Sequence, residues 1–362
     1  MAKQSLRFWF LLRRLRRDRH PSTPTGFTLI ELLVAMLIGS IITGVLLAAV
    51  VELLQVSQKE SSRAETQQEM QLALDYITAD LREAVFVYDG TCLSGVPANT
   101  VCPGVLNFLP AAINNAPNTV PVLAFWRVDE LPQPLLQACS TNATRLYDNP
   151  QPAAILDIPC LSRRTYSLVV YYLDTTAANN TWRGRSRIRR YELTQFDPQG
   201  NRNTGWVDPT LTANNFLGWP RDSASQNLQT AATLPDGTIN RALGLPNANV
   251  NPQVLADFVD NPIVGAANAC PNTLNATNLP AFVRSPAATS NSFYACVRGG
   301  GIVTVGGQSA GNNPGGRNQE VAIFLRGNAA GKPGVPSTAR VTFEMNTRTL
   351  LRGSFGKNPA PQ

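Results

Sequence analysis

The sequence predicts an α+β fold. One long N-terminal helix, membrane-spanning in its first half and amphipathic in its second, packs on an antiparallel β-sheet that carries a long, loop-rich insertion. Three observations predict it. The run from Phe27 to Val51 is apolar or small, with Glu31 its single charge. The helical pattern then continues without Gly or Pro as far as Gly90. Beyond Gly90, segments rich in β-branched and aromatic residues alternate with long polar loops. The 362 residues suffice for a sizeable core, and 43% hydrophobic with 15% charged residues excludes a disordered chain or a multispanning membrane protein.

Residues 1–26 read as a basic leader. Lys3, Arg7, Arg13, Arg14, Arg16, Arg17 and Arg19 face Asp18 alone, so this segment holds +6 of the formal +7. The remaining chain is nearly neutral, with 24 basic against 23 acidic residues, and no nucleic-acid surface is expected. His20, the one histidine, also lies in the leader. Beyond it a Ser-His-Asp or Cys-His hydrolase is unavailable, as is a zinc site needing imidazole. No catalytic residue, metal or cofactor is expected.

Residues 27–51 form the membrane-spanning segment. Twenty-five residues at ~1.5 Å each reach ~37 Å, enough to cross a bilayer with some tilt. The flanking cations place the N-terminus in the cytoplasm and the outer domain on the periplasmic or extracellular side. The run is too long for a cleavable secretory signal, and no small-x-small site closes it. A carboxylate in such a span costs roughly 2.5–3.5 kcal/mol, so Glu31 either has a function or snorkels to the membrane edge.

Gly26-Phe27-Thr28-Leu29-Ile30-Glu31, behind a basic leader and ahead of an apolar run, resembles the processing site of type IV prepilins and pseudopilins. The resemblance covers residues 13–60. It implies that prepilin peptidase cuts between Gly26 and Phe27 and that Phe27 is then N-methylated. It also gives Glu31 an assembly role, meeting the free amino terminus of a neighbouring subunit. Pairing a carboxylate with an ammonium in low dielectric offsets the cost of burying either alone. The implied partners are prepilin peptidase, other pilins or pseudopilins, the inner-membrane assembly platform, and membrane lipid before assembly.

Residues 52–89 read as the outer half of the same helix, with Met70, Leu74, Ile77, Leu81 and Val85 as one apolar stripe. Its end, Asp80-Leu81-Arg82-Glu83-Ala84, is similar to that of the larger minor pilins and J-type pseudopilins. Residues 90–362 form the β-rich domain. Strands are expected at Val120–Val128, Thr165–Leu173, Arg185–Thr194, Ser292–Arg298, Gly301–Val305, Glu320–Arg326 and Arg340–Met345. Tyr166–Leu173 and Ile188–Tyr191 should form an antiparallel hairpin, as in the J-type pseudopilins. Arg185, Arg187 and Arg189 alternate on one strand face, which reads either as a ligand or partner face or as a solvated one. Residues 197–286, rich in Asn, Pro, Ala, Thr and Gly, read as an insertion decorating the sheet, with Gln253–Val259 ordered within it.

Cys92, Cys102, Cys139, Cys160, Cys270 and Cys296 all follow the span, where disulfides persist. Six cysteines allow about 15 connectivities. Loop closure favours Cys92–Cys102, Cys139–Cys160 and Cys270–Cys296. Reduced buried thiols are the alternative, and no Cys-x2-Cys pair suggests zinc.

These readings converge on a minor pilin or pseudopilin of a type IV pilus-like or secretion filament, supporting secretion or motility. Its bulk favours a tip or priming position. Size, hairpin and insertion most resemble cyanobacterial pseudopilins of hormogonium polysaccharide secretion. Two alternatives stand beside it: a type II secretion minor pseudopilin, and a pilus-borne adhesin binding a polysaccharide through the arginine face or the insertion.

Overall fold

The computed structural model describes residues 26–95, 101–114, 116–177, 179, 181–247, 252–261, 269–270, 281–286, 290–299, 303–305, 308–310 and 319–351. Contacts divide the chain into two units, residues up to Ser57 and residues from Gln58 onward. Helix α1, Leu29–Arg82, contributes to both. In the first unit its side chains are exposed throughout, Leu33, Leu37, Ile41 and Leu47 among them.

In the second unit α1 buries Ser62, Thr66, Met70, Ala73, Leu74, Ile77 and Leu81, a face repeating every three to four residues. Burying its four large apolar side chains contributes on the order of 10 kcal/mol before conformational entropy is charged against it. The helix stops at Arg82, seven residues short of the expected end at residue 89. Ala84–Val87 is instead strand β1, pairing with β2, Thr119–Glu130. Val85, expected at the end of the helical stripe, packs on the opposite core cluster from Leu81. A short run of Val and Phe beside an available sheet edge gains more from pairing than from another helical turn. Asp89 then caps a short helix α2, Gly90–Ser94, accepting from the N–H groups of Thr91 and Cys92.

Two more short helices follow, α3 at Ala111–Asn114 and α4 at Gln133–Thr141. The remaining strands are β3 Arg164–Asp174, β4 Ser186–Leu193, β5 Gln253–Val259, β6 Val283–Ser285, β7 Phe293–Arg298, β8 Val303–Val305, β9 Gln308–Ala310, β10 Glu320–Asn328 and β11 Thr342–Leu350. Of the expected strand at 301–305, the first two residues lie outside the described set. Strands β8 and β9 pair with each other, and the others form one antiparallel sheet in the order β1-β2-β3-β4-β5-β10-β7-β6, with β11 on β10. The predicted hairpin is present, with Tyr171 opposite Arg190 and Leu173 opposite Ile188.

The sheet curls until its ends meet. The Gln319 side-chain amide accepts from the Val87 N–H at 2.8 Å and donates to the Val87 carbonyl at 2.9 Å, taking the place of a strand neighbour for β1. Ser285 donates to the Val122 carbonyl at 2.6 Å across the same closure. Strand alternation then sorts the core. Val169, Tyr171 and Leu173 pack with α1, while Leu168, Val170 and Tyr172 face a second layer.

That second layer comes largely from the region expected only to decorate the sheet. Trp206, Val207, Phe216, Leu217, Trp219 and Leu228 are buried against Trp126 and Tyr191. The indole N–H of Trp219 donates to the Val207 carbonyl at 3.0 Å, and that of Trp206 to the Tyr166 carbonyl at 2.9 Å. The layer is built from seven-residue reversals closed by single bridges, Phe196 to Arg202, Arg221 to Asn227 and Thr233 to Ile239. Inside each reversal one aspartate, Asp197, Asp222 or Asp236, accepts backbone N–H bonds from residues two or four positions ahead. Gln253–Val259 is a strand of the main sheet, between β4 and β10. The region expected as an insertion therefore supplies both a second layer, from residues 206–231, and a strand of the main sheet.

Disulfides join Cys92 to Cys102, Cys139 to Cys160 and Cys270 to Cys296, spanning 10, 21 and 26 residues. These are the nearest-neighbour pairings, and each ties a loop to a strand, a helix or another loop.

Candidate functional site

The first candidate site is the start of α1. Gly26, Phe27 and Thr28 precede the helix in non-helical conformation, and Phe27 is 79% exposed. The leader residues 1–25 lie outside the described set. Thr28 opens the helix: its carbonyl accepts from the N–H of Glu31 at 3.0 Å and of Leu32 at 3.2 Å. Its hydroxyl accepts from the Glu31 N–H at 3.4 Å. Thr28-Leu29-Ile30-Glu31 thus has the T-x-x-E pattern of a capping box, with its Thr28 half formed and Glu31 in the first turn beside the positive end of the helix dipole. Glu31 has a local reason to be acidic in addition to any intermolecular one. From Leu29 the apolar residues are exposed on every side of the helix, and the helix contains a stretch of mean hydropathy 2.6, long enough to cross a membrane. An apolar surface of this extent marks contact with lipid or with other protein.

The second candidate, the arginine face of β4, is closed. Arg187 is 1% exposed, with its guanidinium between Asp174 at 3.6 Å and Asp257 at 3.7 Å. Arg189 meets the same Asp174 oxygen at 2.7 Å, and Arg185 donates to the Ser337 carbonyl at 2.6 Å. The alternation placed Arg187 and Arg189 together, but their charges are answered within the sheet, so the three arginines do not form an open ligand surface. Burial raises the Asp174 pKa; hydrogen bonds from Thr176 and the guanidinium groups of Arg189 and Arg187 outweigh it and hold that carboxyl below its ordinary value.

A larger network that sequence reading missed fastens α1 to the sheet. The Asp80 carboxylate accepts from Arg127 at 2.8 Å, Arg190 at 2.9 Å and the Tyr171 hydroxyl at 2.5 Å. Glu192 meets both arginines, at 2.8 and 2.6 Å. Burial and the neighbouring Asp80 carboxylate push the Tyr171 hydroxyl far up, so it stays a hydrogen-bond donor. Its one local signal was an acidic residue on the apolar helix face beside Ile77 and Leu81.

A groove of about 390 Å³ opens between the second layer and the loop before β3. Tyr166, Trp206, Asp208, Asp236, Arg202 and Arg241 are among the residues lining it. Among the described residues, no group of three or more His, Cys, Asp or Glu side chains could hold a metal ion.

Residues 24–47 match the family model for the prokaryotic N-terminal methylation motif. The match begins two residues before Gly26 and covers Phe27, Glu31 and most of the apolar run. This motif supports a type IV prepilin-like protein. No curated protein and no solved structure matches it significantly. As a prepilin-like protein it carries a motif that implies processing by prepilin peptidase and assembly with other pilins. The motif points to a structural rather than an enzymatic role, and the apolar helix is consistent with membrane anchoring.

Proposed function

We propose that this prepilin-like protein is a minor subunit of a type IV pilus-like or secretion pseudopilus filament. The cut falls between Gly26 and Phe27, Phe27 is N-methylated, and the apolar segment from Phe27 to Val51 moves from the bilayer into the filament core. Before the cut the basic N-terminus is cytoplasmic and the β-rich domain lies across the membrane. The observation that carries the reading is the methylation-motif match at residues 24–47 falling on an exposed Gly26–Thr28 segment that leads into an all-round apolar helix. The bulk of the second unit favours a tip or priming position. The β3–β4 hairpin supports kinship with J-type pseudopilins, and we extend that to a system secreting polysaccharide.

Glu31 would set register by meeting a neighbour's amino terminus in low dielectric. Because it also sits in a capping box, the test separates the two roles. Glu31→Gln keeps the capping geometry and removes the charge; Glu31→Val removes both. The expected result is normal cleavage and lost filament incorporation in both variants. Normal incorporation of Glu31→Gln would show that capping alone explains the residue. For processing, mass spectrometry of the chain from cells with active prepilin peptidase should find methylated Phe27 first, and an intact 1–26 segment would overturn the assignment.

A further inference from the structure

The groove walled by Tyr166, Trp206, Asp208 and Asp236 has a chemistry that filament assembly does not use. We propose that it is a binding site for a neutral saccharide unit of a glycan. Its volume of about 390 Å³ lies within the range of small-molecule sites.

The acceptors are fixed in place. Oδ1 of Asp208 is held by the Thr210 N–H at 2.8 Å and its hydroxyl at 2.7 Å. Oδ1 of Asp236 is held in the same way by Thr238, at 3.0 and 2.7 Å. Oδ2 of each has no hydrogen-bond or ion-pair partner among the described residues, so each presents an oriented acceptor. The donors lie alongside. The Tyr166 hydroxyl has no partner among the described residues, and its pKa is raised by burial and then by the Asp208 charge, which keeps it protonated. The Gln195 side-chain oxygen accepts from the Thr165 hydroxyl at 2.6 Å, which leaves its amide N–H groups for a ligand. Ile158, Leu234 and Ile239 add apolar surface to the same walls.

Two of the three arginines that line the groove are already engaged. Arg241 pairs with Asp157 at 2.9 Å. Arg202 donates to the carbonyls of Leu156 and Asp157 at 3.1 and 2.9 Å and lies over the Phe196 ring. What remains open is two carboxylates with neutral donors beside them, against the one further guanidinium of Arg164; this negative balance disfavours uronates, sulfates and phosphates. An apolar ligand would leave the acceptors and the phenol unsatisfied. Hydroxyls that both donate and accept, on a ring with C–H faces, fit the set. The site stands whether or not the chain is assembled in a filament.

The test uses the whole processed chain in a non-glycosidic detergent, with neutral gluco-, manno- and galacto-oligosaccharides as probes and an oligogalacturonate as the charged control. Saturation-transfer NMR and calorimetry should show binding of at least one neutral probe, with the control weaker. Tyr166→Phe should weaken it several-fold, and Asp208→Asn with Asp236→Asn by roughly tenfold or more, without shifting the thermal transition. Three results would overturn the proposal: no neutral probe binding at about 5 mM, tighter binding of the galacturonate, or equal affinity in Tyr166→Phe. The last variant removes one oxygen and keeps the ring, so it remains informative if the aspartate variants fold poorly.

Discussion

Replacing Asp80 by alanine tests what holds the outer half of α1 to the sheet. The carboxylate receives three hydrogen bonds at 2.5 to 2.9 Å, two of them from guanidinium groups, and its side chain is 9% exposed, as Arg190 is 8%. Removing one partner of a buried ion pair costs about 3–5 kcal/mol, because the remaining charge stays buried without compensation. Here Glu192 still meets both arginines, and the Arg127 side chain is 17% exposed, so the loss belongs at the lower end, about 3 kcal/mol. Urea unfolding of the full chain, followed through the buried Trp126 and Trp219, reads it directly. With a slope of about 3 kcal/mol/M, the midpoint should fall by about 1 M. Asp80→Asn keeps an acceptor for Tyr171 and should fall between the wild type and alanine. Coupling between Asp80→Ala and Arg190→Met should exceed about 1 kcal/mol. A midpoint shift below about 0.3 M for Asp80→Ala would refute the reasoning, since it would mean that water or Glu192 already compensates both cations.

Three further outcomes follow from the same fold. Trp219→Ala, at a residue 0% exposed and edge-on to Trp126 at 5.5 Å, should cost about 3–5 kcal/mol in the same unfolding assay, as a core deletion does; a surface-like loss would mean that the second layer is not a core. Gly90→Ala should sharply reduce folded yield and disturb the closure of β6, because an added Cβ would meet the Arg284 carbonyl oxygen at 1.9 Å. The acid limb of stability should involve Asp174, whose carboxyl is held below its ordinary value in the fold. The unfolded chain then takes up that proton first, so the stabilisation is present at neutral pH. It is lost as pH falls below about 4 and through the folded value. Asp174→Asn should therefore flatten the pH dependence in that window, measured by thermal unfolding between pH 2 and 7.

The parts legible in sequence were those set by local pattern. The unbroken apolar run and the 3.6-residue stripe of Met70, Leu74, Ile77 and Leu81 each report a periodicity that neighbours in sequence suffice to define. The β3–β4 hairpin was nearly as local, since strands consecutive in sequence tend to pair with each other. The cysteines paired with their nearest neighbours, where loop closure costs least. The groove was harder to see, because Tyr166, Asp208 and Asp236 have nothing in their immediate sequence to link them.

By itself, then, the sequence determined the membrane-length helix and the positions of the main strands. These follow from hydrophobic run length and alternation. Only the tertiary structure decided where α1 ends, that the loop-rich region walls the sheet, and that Arg187 and Arg189 are inward ion-pair partners rather than a ligand face. The partners that settle those points are remote: Asp257 stands 70 residues from Arg187, and Asp80 stands 110 residues from Arg190. A charged side chain shows its type in the sequence, but whether it faces water or a carboxylate depends on which distant segments the curled sheet brings beside it.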